Sequence, residues 1–415
     1  MIKTAFTCNA LRIRHFFRFL WVWASTCKSG KLTQLCKEET SQFFGIRPDS
    51  VFLFGSARMG LYSLLTAEKK EGRDEVIVAG YTCVVVTNAI KYADMKAVYI
   101  DVEEENLNIN PALLRGAISD KTSAIIFTHN YGITCEYIVD FKKEFPEILI
   151  IEDAAHTFGS ITKDGQLAGT LGDASFFSME YSKPITSGMG GIIIVNEAGL
   201  QGRLESCYEG LPYYPKMTRL RILASLKIHL FSSSRYNAFL KRWMAGFLYV
   251  TGLLYKSPAM ELQGEMPGHY PVKLSPYFAY LAYLQIREID AVNEKKDRLC
   301  QSYFSTLKDL PGIKQYYSSD YNFVRYPVLF ERNISGEKIL AIKDDLKRSG
   351  IVPGEWFNDV VHPKGSYRYC YIDGSCPVGE SVTGRMINFP VTVHKQLNQR
   401  DLNRIRNIFV KHLTE

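Results

Sequence analysis

The chain has 415 residues, 46% of them hydrophobic and 22% charged, with 30 Gly and 16 Pro. These proportions exclude a disordered, collagen-like or fibrous protein, and the length suits two intimate domains or one large α/β body. The net charge of +7 is unevenly spread. No acidic residue precedes Glu38 and none lies between Glu209 and Glu261; these two segments hold 15 of the 50 basic residues and leave a mildly acidic remainder. Nine cysteines without a CxxC pair argue against a disulfide scaffold or a structural metal site and fit a reducing, cytoplasmic compartment.

At the N-terminus, Arg14 to Trp23 reads basic and then apolar. The apolar run is too short for a membrane span, which needs about 20 residues, and Lys28 and Lys31 follow too closely for a good secretory signal. From about 50 to 196, apolar runs alternate with helical periodicity. Strands are expected at 75–79, 97–102, 123–128, 148–152, 174–178 and 191–195, with helices near 61–69, 111–118 and 137–145. This alternation predicts an α/β fold with a mostly parallel central sheet, whose chemistry gathers at the carboxyl ends of the strands. A basic, apolar helical insertion follows over 206–265. Within it, 219–230 is a basic amphipathic helix and 243–255 is uncharged. Basic helices edged by Trp21, Trp23 and Trp243 fit either packing on the body or a peripheral contact with anionic lipid. One long helical pattern covers 277–307, a strand-like run covers 322–329, and a helix at 400–413 closes a smaller C-terminal α/β domain. The expected division is 1–45, 46–205, 206–265 and 266–415. The basic segments contain no recognisable nucleic-acid-binding module, so no nucleic-acid partner is expected.

Four features stand at strand ends. Gly55-Ser56-Ala57-Arg58-Met59-Gly60 precedes a helix, where free backbone amides can hold an anion. Ile150 to His156 ends a buried strand in Glu152-Asp153-Ala154-Ala155-His156, which is either a carboxylate facing a ligand or an ordinary helix cap. Lys183 follows the 174–178 strand, where a lysine of lowered pKa can form a Schiff base with a carbonyl. Gly188 to Gly191 leads into the 191–195 strand and allows either a turn or a close backbone approach.

Together, in this order and spacing, these features resemble the DegT-type family of pyridoxal-phosphate sugar aminotransferases. The likeness runs from about 50 to 200, with a weaker continuation after 266. It rests on Glu152 to His156, Gly172-Asp173 before Phe177-Ser178, Lys183 five residues beyond Ser178, and Gly190-Gly191. Asn88 after Tyr81-Thr82, Asp101-Val102 and His129-Asn130-Tyr131-Gly132 add to it. The resemblance implies an aspartate-aminotransferase-like fold with a large pyridoxal-phosphate-binding domain. It implies that Lys183 carries the cofactor and then moves a proton. Asp153 would pair with the ring nitrogen, which lets the ring act as an electron sink. His156 would bond the ring oxygen, and Ser178 would bind the phosphate with Ser56 and the Ala57 and Arg58 amides.

The departures are Arg58, where the family usually has Thr, and Cys83, where many members carry an aromatic stacked on the ring. Lys273, in Tyr270 to Ser275, stands where a residue usually reaches the partner subunit's cofactor. The implied reaction transfers an amino group from glutamate to a keto-sugar on a nucleotide, for polysaccharide synthesis, in a homodimer. Sugar dehydration is the alternative on the same scaffold, but dehydrating relatives have His in place of the lysine. A non-catalytic member at the membrane is the second alternative.

Overall fold

The computed structural model describes residues 10–24, 29–233, 259–392 and 397–414. The uncharged run 243–255 and Trp243 lie outside these. In the first half the helices are α1 (Ile13–Ala24), α2 (Ser29–Phe44), α3 (Ala57–Ala67), α4 (Val84–Tyr92), α5 (Pro111–Ala117), α6 (Ile138–Glu144), α7 (Ala198–Glu209) and α8 (Lys216–Ser233). The strands there are β1 (Val51–Phe54), β2 (Glu75–Ala79), β3 (Thr82–Cys83), β4 (Lys96–Ile100), β5 (Thr122–Thr128), β6 (Leu149–Asp153), β7 (Ala174–Ser178) and β8 (Gly191–Val195).

Seven of these strands form one sheet in the order β1-β8-β7-β6-β5-β2-β4. Every neighbouring pair is parallel except those made by β8, which runs antiparallel to both β1 and β7. The fold is therefore α/β with a mostly parallel central sheet. Successive side chains of a strand point to opposite faces, and here both faces are covered. Val76, Val78, Ala124, Ile126 and Ile151 pack into one core, while Ile77, Ile125, Phe127 and Ile150 pack into a second on the other side. That is why these strands read as continuous apolar runs rather than as alternating ones.

The second core is shared with the C-terminal part. There β9 (Ile313–Gln315), β10 (Arg325–Phe330) and β12 (Met386–Pro390) form an antiparallel sheet in the order β12-β10-β9. The contacts that fasten this part to the N-terminal half include one at the end of β4 and one through a separate two-stranded sheet. Asp101, just beyond β4, accepts from the first amides of the helix Pro377–Arg385, Val378 N–H and Gly379 N–H, both at 2.8 Å. A carboxylate at a helix N-terminus meets both the unpaired amides and the dipole. The short strand β11 (Val361–His362) pairs in parallel with β3, matching His362 to Cys83.

The long helical pattern of 277–307 is two helices, Pro276–Ile286 and Ile289–Leu307. The first is buried nearly all round and the second is amphipathic. Glu288 lies at the break, held by Arg14 at 2.6 Å and His15 at 3.2 Å from α1. The strand expected at 322–329 is observed at 325–330. Helix α1 packs Phe19 on Phe278 and Trp23 on Tyr277, leaving Ile13, Phe17 and Trp21 exposed on its other side. The amphipathic segment 219–230 lies in α8, where Ile222 and Leu226 crowd against Gly188, whose φ of +84° places it in the left-handed region. That part of the insertion packs on the body. Among the described residues, no helix is long and apolar enough to cross a membrane.

Glu152, fully buried in the middle of the sheet, accepts from Gly169 N–H (2.7 Å), Leu171 N–H (2.7 Å) and Gly172 N–H (2.8 Å), and bonds His129 at 2.9 Å. Glu152→Ala strands three buried amides at about 1–3 kcal/mol each. It is expected to lower unfolding free energy by at least about 3 kcal/mol in urea titrations, with Glu152→Gln losing less.

Candidate active site

The carboxyl ends of β6 and β7 and the start of α3 open onto a cavity of about 260 Å³. Ser56, Ala57 and Arg58 form one wall, and Asp153 and His156 rise from the turn after β6. Ser178 and Lys183 follow β7, and Cys83 enters from β3. Eight of the nine sequence-predicted site residues are thus brought together. Lys273 is not: its amine donates to the Glu209 carbonyl at 2.7 Å and lies 4.8 Å from the Tyr208 ring centre, outside this cavity.

The wall at α3 is an anion cradle by construction. Ser56 occupies the N-cap in extended conformation, yet its hydroxyl caps nothing, and Ser56 Oγ is buried without a partner. The first-turn amides of Ala57 and Arg58 have no acceptor within the helix. Gly191 lets β8 close up behind them, because a Cβ there would stand 2.3 Å from the Ala57 nitrogen. The glycine cluster thus serves the approach of strand to helix.

Arg58 does not reach toward the cradle with a free charge. Its guanidinium forms a two-pronged pair with Glu261, at 2.7 Å on each side. Asn88 donates to the Glu261 carbonyl at 2.5 Å, and the Tyr270 hydroxyl donates to the Arg58 carbonyl at 2.8 Å. The Arg58 cation is therefore matched by a buried anion, and these contacts hold Glu261 and Tyr270 to the cavity wall. Burial pushes the Glu261 carboxyl up, against the pull of Arg58.

Asp153 is buried, and this desolvation pushes its carboxyl up to about 6, against the Ala155 amide and the charge of Lys183. One oxygen accepts from Ala155 N–H at 3.1 Å. His156 Nδ1 accepts from Tyr131 N–H at 3.2 Å, which places the ring proton on Nε2. Burial, and then the charges of Lys183 and Arg325, hold His156 well below its usual range, so it is a neutral donor. The loop carrying Lys183 is pinned by Gln285, fully buried, which accepts from Thr186 N–H at 3.1 Å and donates to Thr186 O at 2.6 Å.

Sequence reasoning missed the cavity's C-terminal side, formed by Trp356, Phe357 and His362. His362 is pushed down to about 4 by burial and by the charge of Lys183. Trp356 stacks on His156, with ring centres 5.0 Å apart and 19° between planes. The only hint in the sequence was an aromatic pair and a histidine in a loop without periodicity.

The sequence matches the DegT/DnrJ/EryC1/StrS aminotransferase family over residues 21–227 and 238–410. The chain belongs to that family. It is accordingly a pyridoxal-phosphate-dependent sugar aminotransferase. An uncharacterized protein of Methanocaldococcus jannaschii is 25% identical over 370 residues, 87% of this chain and 85% of that protein. A GDP-perosamine synthase of Escherichia coli O157:H7 is 38% identical over 143 residues, 34% of this chain and 38% of that enzyme. The Helicobacter pylori aminotransferase of pseudoaminic acid biosynthesis has the same fold, with a TM-score of 0.73 at 17% identity and 99% of both chains covered. The cavity of this DegT-family member fits the cofactor. It offers an orphaned hydroxyl and open amides for a phosphate, a buried carboxyl group that could meet a ring nitrogen, and a lysine.

The raised Asp153 carboxyl fixes a sign. The cofactor-free fold prefers the neutral acid, so its stability falls as pH rises from the unfolded value near 4 through about 6, by at most about 3 kcal/mol. Asp153→Asn is expected to melt several degrees higher than the unsubstituted cofactor-free protein at pH 8 and equally near pH 4, while binding pyridoxal phosphate more weakly. Melting curves at the two pH values check this.

Proposed function

We propose that the chain transfers an amino group from glutamate to a keto-sugar carried on a nucleotide, in the synthesis of a glycan. The observation that carries the reading is the convergence of Asp153, His156, Ser178 and Lys183 on one cavity at the carboxyl ends of the sheet. The likeness to a GDP-perosamine synthase supports a nucleotide-linked sugar. Pyridoxal phosphate, when bound, supplies an electron sink for the carbon that loses or gains a proton.

The residues divide the remaining work. Lys183 would hold the cofactor and carry the proton at the reacting carbon. Asp153 would meet the ring nitrogen, and pairing with a cation there would draw its raised carboxyl back toward the ionised form. His156 would donate from Nε2 to the ring oxygen, because the hydrogen bond from Tyr131 keeps the proton on that nitrogen. Ser56, Ser178 and the Ala57 and Arg58 amides hold the phosphate. Arg58 contributes its amide, and its side chain is engaged with Glu261. Cys83 leaves room where an aromatic would stack, and its thiol, pushed up by burial, stays protonated.

The active unit in this reading is a homodimer in which Lys273 reaches the partner's cavity. The four-part division at residues 45, 205 and 265 accompanies it, as does a cytoplasmic setting. Peripheral contact with anionic lipid through 11–24 and 210–256 belongs to the same reading, supported in α1 by the exposure of Phe17, Arg18 and Trp21. Sugar dehydration is disfavoured by Lys183, since the dehydrating relatives have His there.

Absorbance spectroscopy tests the reaction. The yellow band of the cofactor-loaded protein should bleach on adding glutamate and return on adding the keto-sugar acceptor. A band indifferent to glutamate would remove glutamate as donor. Lys183→Ala should lower turnover by more than about a hundredfold, as loss of a proton-transfer group does; unchanged turnover would remove the assignment of that lysine.

A further inference from the structure

Trp356 joins the catalytic groups although it lies in the C-terminal part. The Lys183 amine lies 4.6 Å from the centre of its ring, and the Arg325 guanidinium also lies 4.6 Å from it. His156 stacks on the same indole. The ring's position is fixed from both halves of the chain. Asn388 donates to the Trp356 carbonyl at 2.9 Å, and the next amide, Phe357 N–H, donates to the Tyr81 hydroxyl at 3.0 Å. Tyr81 in turn shares a 2.8 Å hydrogen bond with Tyr131, the residue whose amide orients His156.

We propose that Trp356 is a positioning residue for Lys183. The indole face is the resting place of the lysine's ammonium whenever that amine is not bonded to the cofactor, and the contact favours the protonated form. The proposal rests on the preceding reading of Lys183, under which the amine is not bonded to the cofactor for part of every turnover. In a largely apolar cavity, an ammonium is favoured by a contact that does not remove its proton. An aromatic ring, best of all tryptophan, attracts a cation through its quadrupole and cannot accept the proton. The stack on His156 then keeps the lysine's resting place in register with the donor to the ring oxygen.

Other groups also act on this amine. Asp153 on β6 favours the ammonium. Arg325 on β10 opposes it, while the charge of Arg58 at the start of α3 is matched by Glu261. His156 and His362 are neutral, Cys83 on β3 is a protonated thiol, and Glu180 lies in the lysine's own loop. Of these, Arg325 and the neutral His156 also meet the Trp356 ring. Removing the indole therefore removes an attraction for the ammonium and leaves the other charges in place.

The test is the pH dependence with which the full-length, cofactor-free protein captures added pyridoxal phosphate. The neutral amine attacks the aldehyde, water leaves, and borohydride then fixes the product, so the labelled lysine is identified by peptide mass. Trp356→Leu keeps the site apolar. It is expected to shift the midpoint of the capture rate down by about one pH unit, so that capture below both midpoints is roughly tenfold faster. Trp356→Phe, with a weaker ring, should shift it by about half as much. A Leu variant whose midpoint coincides with that of the unsubstituted protein, with the label still on Lys183, overturns the proposal alone. A label on a different lysine in the unsubstituted protein overturns the assignment of Lys183 and this proposal with it. If circular dichroism shows the Leu variant unfolded, the Phe variant decides, with a downward shift in support and no shift against.

Discussion

Two adjacent carboxylates at the end of β6 organise the molecule. Consecutive strand residues point to opposite faces, so Glu152 and Asp153 meet different surroundings although one peptide bond separates them. Glu152 turns inward and is saturated by three backbone amides and His129. Asp153 turns toward the cavity, where one backbone amide meets it and burial disfavours its charge. The first carboxylate ties down the loop that leads into β7. The second is left wanting a cation at the spot where a cofactor ring would supply one. A swap of register by one residue would exchange these roles and destroy both.

Around this pair, the site is assembled by elements distant in the chain. The α3 cradle depends on Gly191 in β8, because any side chain there would collide with the amides that form it. The lysine loop depends on Gln285 in a helix about a hundred residues later. Trp356 and His362 depend on β11 crossing to pair with β3. Rigid strands fix one side of the cavity and short loops bring in the rest, the usual arrangement of an α/β active site.

Arg58 shows how a departure from a family pattern can be absorbed. A guanidinium in a phosphate cradle would add a strong, fixed charge. Here Glu261 neutralises it, and both residues are largely buried. A buried pair of this kind contributes little net stability, because desolvation offsets the attraction. Its consequence is positional: the segment that follows the basic insertion is held against the cavity wall, with Leu262 lining the space.

The sequence by itself determined the fold class and the strands at 75–79, 174–178 and 191–195, and its family resemblance pointed to eight residues that line the cavity. Buried parallel strands have to be runs of apolar residues, and strand-end chemistry has to follow them at fixed spacing, so both are written locally. Tertiary structure alone decided the rest. β3 and β11 have two residues each and no periodicity to read. The helical pattern 277–307 continues across the break at Glu288, and only the ion pairs from α1 mark that point. That Arg58 would meet Glu261, Gln285 the lysine loop, and Trp356 the amine of Lys183 is set by long-range packing, for which neighbouring residues carry no signal.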